Sequence, residues 1–148
     1  MIKNQIKATG RLSVVLKDST GAIKEQREVD NLVVSAGLGY IASRMKDTTD
    51  TAMGYMAIGT GSTAAAAGDT TLGTELDRNA LTSTTVTSNE IAYVASWSAG
   101  DGTGAITEAG IFNDASAGTM LARTVFSTVN KGASDTLSIT WTITLSAS

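Results

Sequence analysis

The chain has 148 residues, of which 42% are hydrophobic, 17% are charged and 15 are glycine, and its formal net charge is −3. This length predicts a single domain over residues 1–148 with a sizeable hydrophobic core. Histidine, cysteine and proline are absent, which excludes disulfides, thiolate nucleophiles, Ser-His-Asp catalysis and imidazole-bound metals. The acidic balance argues against a protein that binds nucleic acid by counterion release. No apolar run has the length of a membrane span, and we expect no secretory signal.

The first part of the chain has the period-two pattern of half-buried strands. Leu12, Val14 and Leu16 form the apolar side of a first strand, residues 18–21 form a turn, and residues 23–34 continue as a second extended arm. Further strand-like segments follow over residues 55–58, 91–97, 106–112 and 121–129. The segment between residues 60 and 74 is rich in Gly, Ala and Thr, and we predict that it is an ordered crossing loop.

Residues 35–45 interrupt the strand pattern. Their apolar members lie at i, i+3, i+4 and i+7, on one face of a helix, and are Leu38, Ile41, Ala42 and Met45. Ser35 precedes them as a candidate N-cap. Two glycines in this segment weaken the prediction, because glycine destabilises a helix interior. We predict a short α-helix over about residues 35–45, packed on an end or an open side of the sheets.

The last strand has the clearest pattern of the whole chain. Its apolar residues alternate strictly with serine and threonine, and they are Leu137, Ile139, Trp141, Ile143 and Leu145. We predict that these apolar residues line the core and that the hydroxyl side chains face outward. Strands that recur every 8–12 residues with turns between them predict an all-β sandwich or barrel.

The segment Gly-Thr-Gly-Ser-Thr at residues 59–63 raises the question of a phosphate-binding loop. A Walker loop requires a lysine that is missing here, and a dinucleotide loop requires a βαβ unit that the pattern does not predict. We therefore expect Gly59 and Gly61 to allow a sharp turn after the strand at residues 55–58.

Six acidic residues are candidates for catalysis or for a calcium site: Asp69, Glu75, Asp77, Asp101, Glu108 and Asp114. Their spacing selects no carboxylate pair for glycoside hydrolysis, and the oxygen-rich residues 101–104 and 113–114 lack EF-hand spacing. Structural roles are the alternative: Asp69 as a turn cap, Glu75 paired with Arg78, and Glu108 as an acceptor for the N–H groups of a neighbouring loop. We predict no enzyme activity, no catalytic residue, no metal site and no cofactor, with calcium as the runner-up chemistry.

The basic residues form no run and are not interleaved with aromatic residues. We therefore predict that they are solvated surface, including Arg78, Arg123 and Lys131.

Several segments, in their order and spacing, resemble small virion proteins of tailed bacteriophages over about residues 29–146. These segments are residues 31–42, 56–61, 68–78, 106–113, 121–126, 131 and 135–146. The resemblance is closest to head decoration, or cement, proteins, and it implies a jelly-roll-like antiparallel β-sandwich. The stretch Thr-Glu-Ala-Gly-Ile-Phe, which contains Glu108 and Gly110, is also similar to a motif of phage tail-collar and tail-fibre proteins.

The resemblance implies a non-enzymatic structural protein on the capsid surface of the virion, made in the cytoplasm of a bacterial host. Its expected partners are the major capsid protein of a phage head and further copies of itself, as a homodimer or homotrimer, with no nucleic acid and no membrane. A tail, neck or fibre-attachment protein is the alternative, followed by a small carbohydrate- or calcium-binding sandwich. Residues 1–8 are predicted to form an arm that contacts the capsid through Met1, Ile2, Lys3, Ile6 and Lys7.

Overall fold

The segments with alternating apolar and polar residues form the strands of two antiparallel sheets, which pack as a sandwich. The computed structural model describes residues 5–46 and 50–147. Over these residues the strands are β1 (Ile6–Lys17), β2 (Ile23–Asp30), β3 (Leu32–Val33), β4 (Tyr55–Gly59), β5 (Glu75–Ala80), β6 (Ser83–Thr87), β7 (Glu90–Trp97), β8 (Gly104–Phe112), β9 (Met120–Lys131) and β10 (Thr136–Ala147), and the helix α1 spans Ser35–Ser43. The predicted all-β sandwich with one short helix is confirmed for this part of the chain.

Each sheet contains five strands. Sheet A has the order β2-β1-β10-β7-β6, and sheet B has the order β3-β9-β8-β4-β5. In sheet A the first strand pairs with the last, and in sheet B β3 pairs with β9. In both sheets, therefore, an early strand pairs with a late strand. The hairpin of β8 and β9, by contrast, stays within one sheet.

The alternation of β10 has the predicted outcome. Leu137, Ile139 and Trp141 have no exposed surface, Ile143 is buried, and Leu145 is half-buried near the end of the strand. The first four meet the apolar side chains of β1 and of sheet B in one core cluster, to which Leu145 does not belong. Removing each large aliphatic side chain from water contributes about 1.5–3 kcal/mol to the stability of the fold.

The predicted N-terminal arm is wrong in its second half. β1 begins at Ile6, and Ile6, Lys7 and Ala8 lie opposite Ala147, Ser146 and Leu145 of β10. The reason is that β10 is 12 residues long, so its last residues offer backbone partners that the start of the chain takes up. Met1, Ile2 and Lys3 lie outside the described residues. Contact of Ile6 and Lys7 with a partner stays a prediction.

The helix is where the sequence predicts it, but of its predicted apolar residues Ile41 packs against the core, whereas Leu38, Ala42 and Met45 are exposed. Gly37 and Tyr40 are buried, whereas Leu38 is 51% and Met45 83% exposed. A Cβ atom at Gly37 would overlap the carbonyl oxygen of Leu121, so the absence of a side chain here lets α1 approach β9.

The start of the helix also differs from the prediction. The N-cap is Val34, and no side chain caps the helix there. Ser35 lies inside α1, and its backbone N–H donates to the carbonyl of Ala67 at 2.8 Å, so a neighbouring loop does the work of a cap. Within residues 5–46 and 50–147, no helix has the length and hydropathy needed to cross a membrane.

Candidate functional site

The outer face of sheet B is covered by the loop of residues 60–74, which connects β4 to β5. Leu72 of this loop is buried in a second, smaller apolar cluster together with Ala57, Phe112 and Met120. The same loop accepts the hydrogen bond from Ser35 at the start of α1. The predicted crossing loop therefore lies against the fold and gives sheet B a second buried face.

Glu108 fastens this loop to β8. Its side chain has no exposed surface. The carboxylate accepts backbone N–H groups from Gly61 at 2.6 Å, from Gly73 at 2.8 Å and from Thr74 at 2.8 Å. The predicted acceptor role of Glu108 is confirmed, because all three donors belong to the neighbouring loop.

Arg123 of β9 completes the arrangement. Its Nε and Nη2 atoms donate to Oε1 of Glu108 at 3.2 and 3.0 Å. Its Nη1 donates to Oδ2 of Asp69 at 2.8 Å, and Nη2 also donates to the carbonyl of Thr63 at 2.9 Å. Asp69 itself accepts the N–H of Ala66, as expected of a turn cap. We call Glu108, Arg123, Asp69 and the three loop N–H groups the Glu108 network.

The prediction that the basic residues are solvated is wrong for three of them, of which one is Arg78, whose side chain is only 7% exposed. Arg123 and Lys131 are each only 2% exposed, and the Lys131 Nζ donates to the carbonyl of Ser98 at 3.0 Å. Burial lowers the pKa of Lys131, although the negative charges of Asp135, Asp101 and Asp77 act to raise it. A sequence signal exists for Arg123, because it follows Leu121 and Ala122 in a strand whose neighbouring positions are apolar.

The positions around Glu108 require glycine, because neighbouring atoms leave no room for a Cβ atom. A Cβ atom at Gly61 would overlap the Glu108 carboxylate, and one at Gly59 would lie 2.7 Å from Oε2 of Glu108. At Gly110 a Cβ would lie 3.0 Å from the Cδ2 atom of Leu72. Gly59 and Gly61 therefore have a role in close packing, and their role in a sharp turn stays a prediction.

The electrostatics of the network favour the charged form of both acids. Burial would raise the pKa of Glu108, but hydrogen bonds from Thr74, Gly73, Arg123 and Gly61 together lower it below its ordinary value of 4.5. The pKa of Asp69 is also lowered, first by the backbone N–H of Ala66 and then by Arg123. Both acids are thus held as carboxylates that bind the loop.

The Glu108 network holds the loop of residues 60–74 against sheet B, and its carboxylate is not accessible to a substrate. The oxygens of Glu108 accept five hydrogen bonds from groups of the chain itself. A general acid or nucleophile must reach a substrate, whereas this carboxylate is fully buried.

The pairing of Glu75 with Arg78 is confirmed, with Nη2–Oε1 and Nε–Oε2 distances of 2.7 and 3.1 Å. Arg78 also donates to the carbonyls of Asp114 and Ala117 at 2.9 and 2.8 Å, and its guanidinium lies 3.8 Å from the centre of the Phe112 ring. Arg78 thereby holds the loop between β8 and β9 against the edge of sheet B.

The candidate calcium ligands take part in turns. Asp101 accepts a hydrogen bond from Ser98 at 3.3 Å, and Asp114 accepts the backbone N–H of Ser116 at 3.3 Å. In the described part of the chain, no three acidic residues come close enough together to hold a metal ion.

The outer face of sheet A is open and has a different chemistry. Its centre is a row of hydroxyl side chains on β10, and β1 extends it on one side: Ser138, Thr140, Thr142, Thr144, Thr9 and Ser13. On the other side β7 contributes Ser96, Val94, Ala92 and Glu90, and β6 beyond it contributes Ser83, Thr85 and Thr87. We call this surface the hydroxyl face. Arg11 of β1 lies within this face, opposite Thr142, and Glu28 and Asp30 of β2 lie beside it, around a shallow depression of about 420 Å³.

Comparison of the chain with models of protein families, with curated proteins and with solved structures found no match.

Proposed function

We propose that the chain is a non-enzymatic structural protein of a tailed-bacteriophage virion, which binds the major capsid protein on the surface of the assembled head and stabilises it. The observation that carries this proposal is the hydroxyl face. Uncharged hydroxyl groups lose less free energy than charged groups when they leave water, and a partner's backbone can satisfy their hydrogen bonds. A broad face of this kind suits docking against another protein.

The Glu108 network supports the same proposal. Four of the segments that resemble virion proteins contribute to it or to its surroundings: residues 56–61, 68–78, 106–113 and 121–126. The resemblance thus involves residues that hold one loop on one sheet. A particle protein needs such a rigid scaffold, whose shape does not change when it binds.

Weak single contacts suffice for this function. Many copies on a lattice act together when neighbouring contacts hold each copy in place. A protein that binds the assembled shell, and not the separated subunits, stabilises the shell by mass action.

The first experiment measures the number of copies of the chain in purified particles of the phage that encodes it. A ratio to the major capsid protein of the order of one supports head decoration. A few copies per particle would overturn decoration in favour of a tail, neck or fibre-attachment protein. Absence from the particle would overturn both.

The second experiment tests the hydroxyl face. We expect Thr140→Lys to weaken binding to heads that lack the chain by at least about tenfold, because it places a charge at the centre of the contact. Thr70→Lys is the matched control, since Thr70 is exposed on the loop that covers sheet B. Equal binding by both variants would show that another surface makes the contact.

A further inference from the structure

The two edges of sheet A differ in charge and in cover. The edge strand β2 carries Lys24, Glu25, Arg27, Glu28 and Asp30. Two of these side chains also fasten it to β9. Arg27 donates to the hydroxyl of Ser127 at 2.8 Å and to the carbonyl of Thr128 at 3.0 Å, and Glu25 accepts the N–H of Asn130 at 2.9 Å. Charge and cover are the usual protection of an edge strand against pairing with another chain.

The opposite edge, β6, has neither protection. Its sequence Ser-Thr-Thr-Val-Thr contains no charged residue, every residue of it is exposed, and in the described part of the chain β7 is its sole strand neighbour. Threonine and valine also have high β propensity. This edge therefore has the features of a strand that pairs with another strand.

The backbone of β6 determines which groups are available for pairing. β6 and β7 form a hairpin in which Thr87 lies opposite Glu90 and Thr85 lies opposite Ala92. In a two-residue hairpin the closing pair is hydrogen-bonded and such pairs alternate along the strands. The N–H and C=O groups of Thr84 and Val86 therefore point away from β7, toward the open edge.

The hairpin holds this edge in place. Asn89, at its tip, accepts the N–H of Leu145 through its carbonyl at 2.9 Å and donates from its side chain to the carbonyl of Leu145 at 2.8 Å. At the other end of β6, the N–H of Thr82 donates to Val94 at 2.7 Å. A partner strand thus meets an edge that is already ordered.

We propose that β6 pairs antiparallel with β6 of a second copy of this chain, about a two-fold axis at Thr85, so that the two copies share one continuous sheet. In this register Thr84 lies opposite Val86 of the second copy, and Val86 opposite its Thr84. Each of these two pairs exchanges two backbone hydrogen bonds through the groups that point to the open edge. No charge meets a like charge, because neither strand carries one.

A groove on the core side of β6 favours the same partner. It has a volume of about 230 Å³, and its lining includes Val86, Ile91, Tyr40 and Leu145. Val86 is 69% exposed. The side chains of Thr84 and Val86 of a second copy would lie on this side of the sheet and cover Val86. A pair of five-residue strands is smaller than the standard interface of about 1,600 Å², so we expect a concentration-dependent dimer.

Cysteine cross-linking tests the register, because the natural chain has no cysteine. Thr85 faces its own copy in a non-hydrogen-bonded pair with a Cα–Cα distance of about 4.5 Å, which a disulfide can bridge. We expect Thr85→Cys to form a disulfide-linked dimer under mild oxidation. Ser83→Cys is the matched control on the same strand and face, and its two copies would lie about 13 Å apart along the strands. Failure of Thr85→Cys to cross-link, or equal cross-linking of both variants, would overturn the proposal.

Sedimentation measures the dimer without a covalent bond. We expect the unmodified chain to dimerise as its concentration rises and Val86→Lys to stay monomeric with an unchanged melting temperature. Ile23→Lys is the control, since Ile23 is a 58% exposed apolar residue on the opposite edge strand, and this variant should dimerise normally. Dimerisation of Val86→Lys to the same extent as Ile23→Lys would overturn the proposal. Pairing of β6 with a second copy does not depend on the proposed function of the chain.

Discussion

The outer faces of the two sheets differ in burial, although both sheets consist of five antiparallel strands. Sheet B is buried on both sides around β4, β8 and the first half of β9, because the loop of residues 60–74 covers its outer face there with Leu72 and the Glu108 network. Sheet A is buried on one side and presents the hydroxyl face on the other. The difference is visible in the strands: four of the five residues of β4 are buried, whereas buried residues of β10 alternate with partly exposed or exposed ones.

This comparison shows where the protein places its charges. The covered face holds a buried Arg123–Glu108 ion pair, in which both partners are satisfied by further hydrogen bonds. The open face holds ion pairs of the ordinary surface kind, such as Arg11 with Glu28 at 3.4 Å. The first kind is sensitive to the loss of one partner, and the second is not.

Substitutions at two adjacent residues of β10 should have the largest difference in effect, because one side chain faces the core and the other faces outward from sheet A. Trp141 points into the core, and Thr142 belongs to the hydroxyl face. We expect Trp141→Ala to lower the free energy of unfolding by about 3–5 kcal/mol, because it leaves a cavity in the core. Thr142→Ala should change the free energy of unfolding by about 0.5 kcal/mol or less. Denaturant titration measures both, and equal losses would show that the two faces are not distinct.

Removing the charge of Glu108 tests the covered face. Glu108→Gln leaves Arg123 buried with a weaker partner, and we expect a loss of about 3 kcal/mol in the free energy of unfolding. Hydrogen exchange should show faster exchange at the amides of Gly61, Gly73 and Thr74. The control is Glu28→Gln on the open side, which should cost less than about 1 kcal/mol. If Glu108→Gln loses no more stability than the control, the Glu108 network does not hold the loop on sheet B.

A methyl group can break the same network without changing any charge. Gly61→Ala places a Cβ atom against the Glu108 carboxylate, and we expect a loss of about 1–3 kcal/mol from the strain of overpacking. Gly68→Ala, in the same loop, is the control, since nothing lies within 4 Å of a Cβ at that position. Thermal unfolding of the two variants compares them, and equal melting temperatures would refute the close-packing role of Gly61.

The pH dependence of stability should separate the two faces further. The pKa of Glu108 in the folded chain lies below its ordinary value of 4.5, so its contribution is fully present above about pH 4.5 and is lost as the pH falls through the folded pKa. We therefore expect the stability difference between the natural chain and Glu108→Gln to shrink below about pH 4.5. Denaturation at several pH values measures this difference, and a constant difference down to acid pH would contradict the direction of the shift.

Local patterns predicted a large part of the fold. The period of two in β10 identified the core residues and the hydroxyl face, and the spacing of Glu75 and Arg78 identified their ion pair. These features depend on residues that lie near each other in the sequence. Side-chain direction along a strand follows from backbone geometry alone, whichever strands become its neighbours.

Only the tertiary structure decided which polar groups are buried and which face of the helix packs inward. Arg123 contacts residues 15, 54 and 60 positions away in the sequence. Its burial therefore depends on a loop that cannot be predicted from the residue pattern of β9. The start of β1 depends on partners at the far end of the chain. The helix turned Gly37 and not Leu38 toward β9, because close approach to the Leu121 carbonyl requires a position without a side chain. The sequence by itself therefore determined the layers and their alternating faces, whereas contacts between distant segments determined what each face encloses.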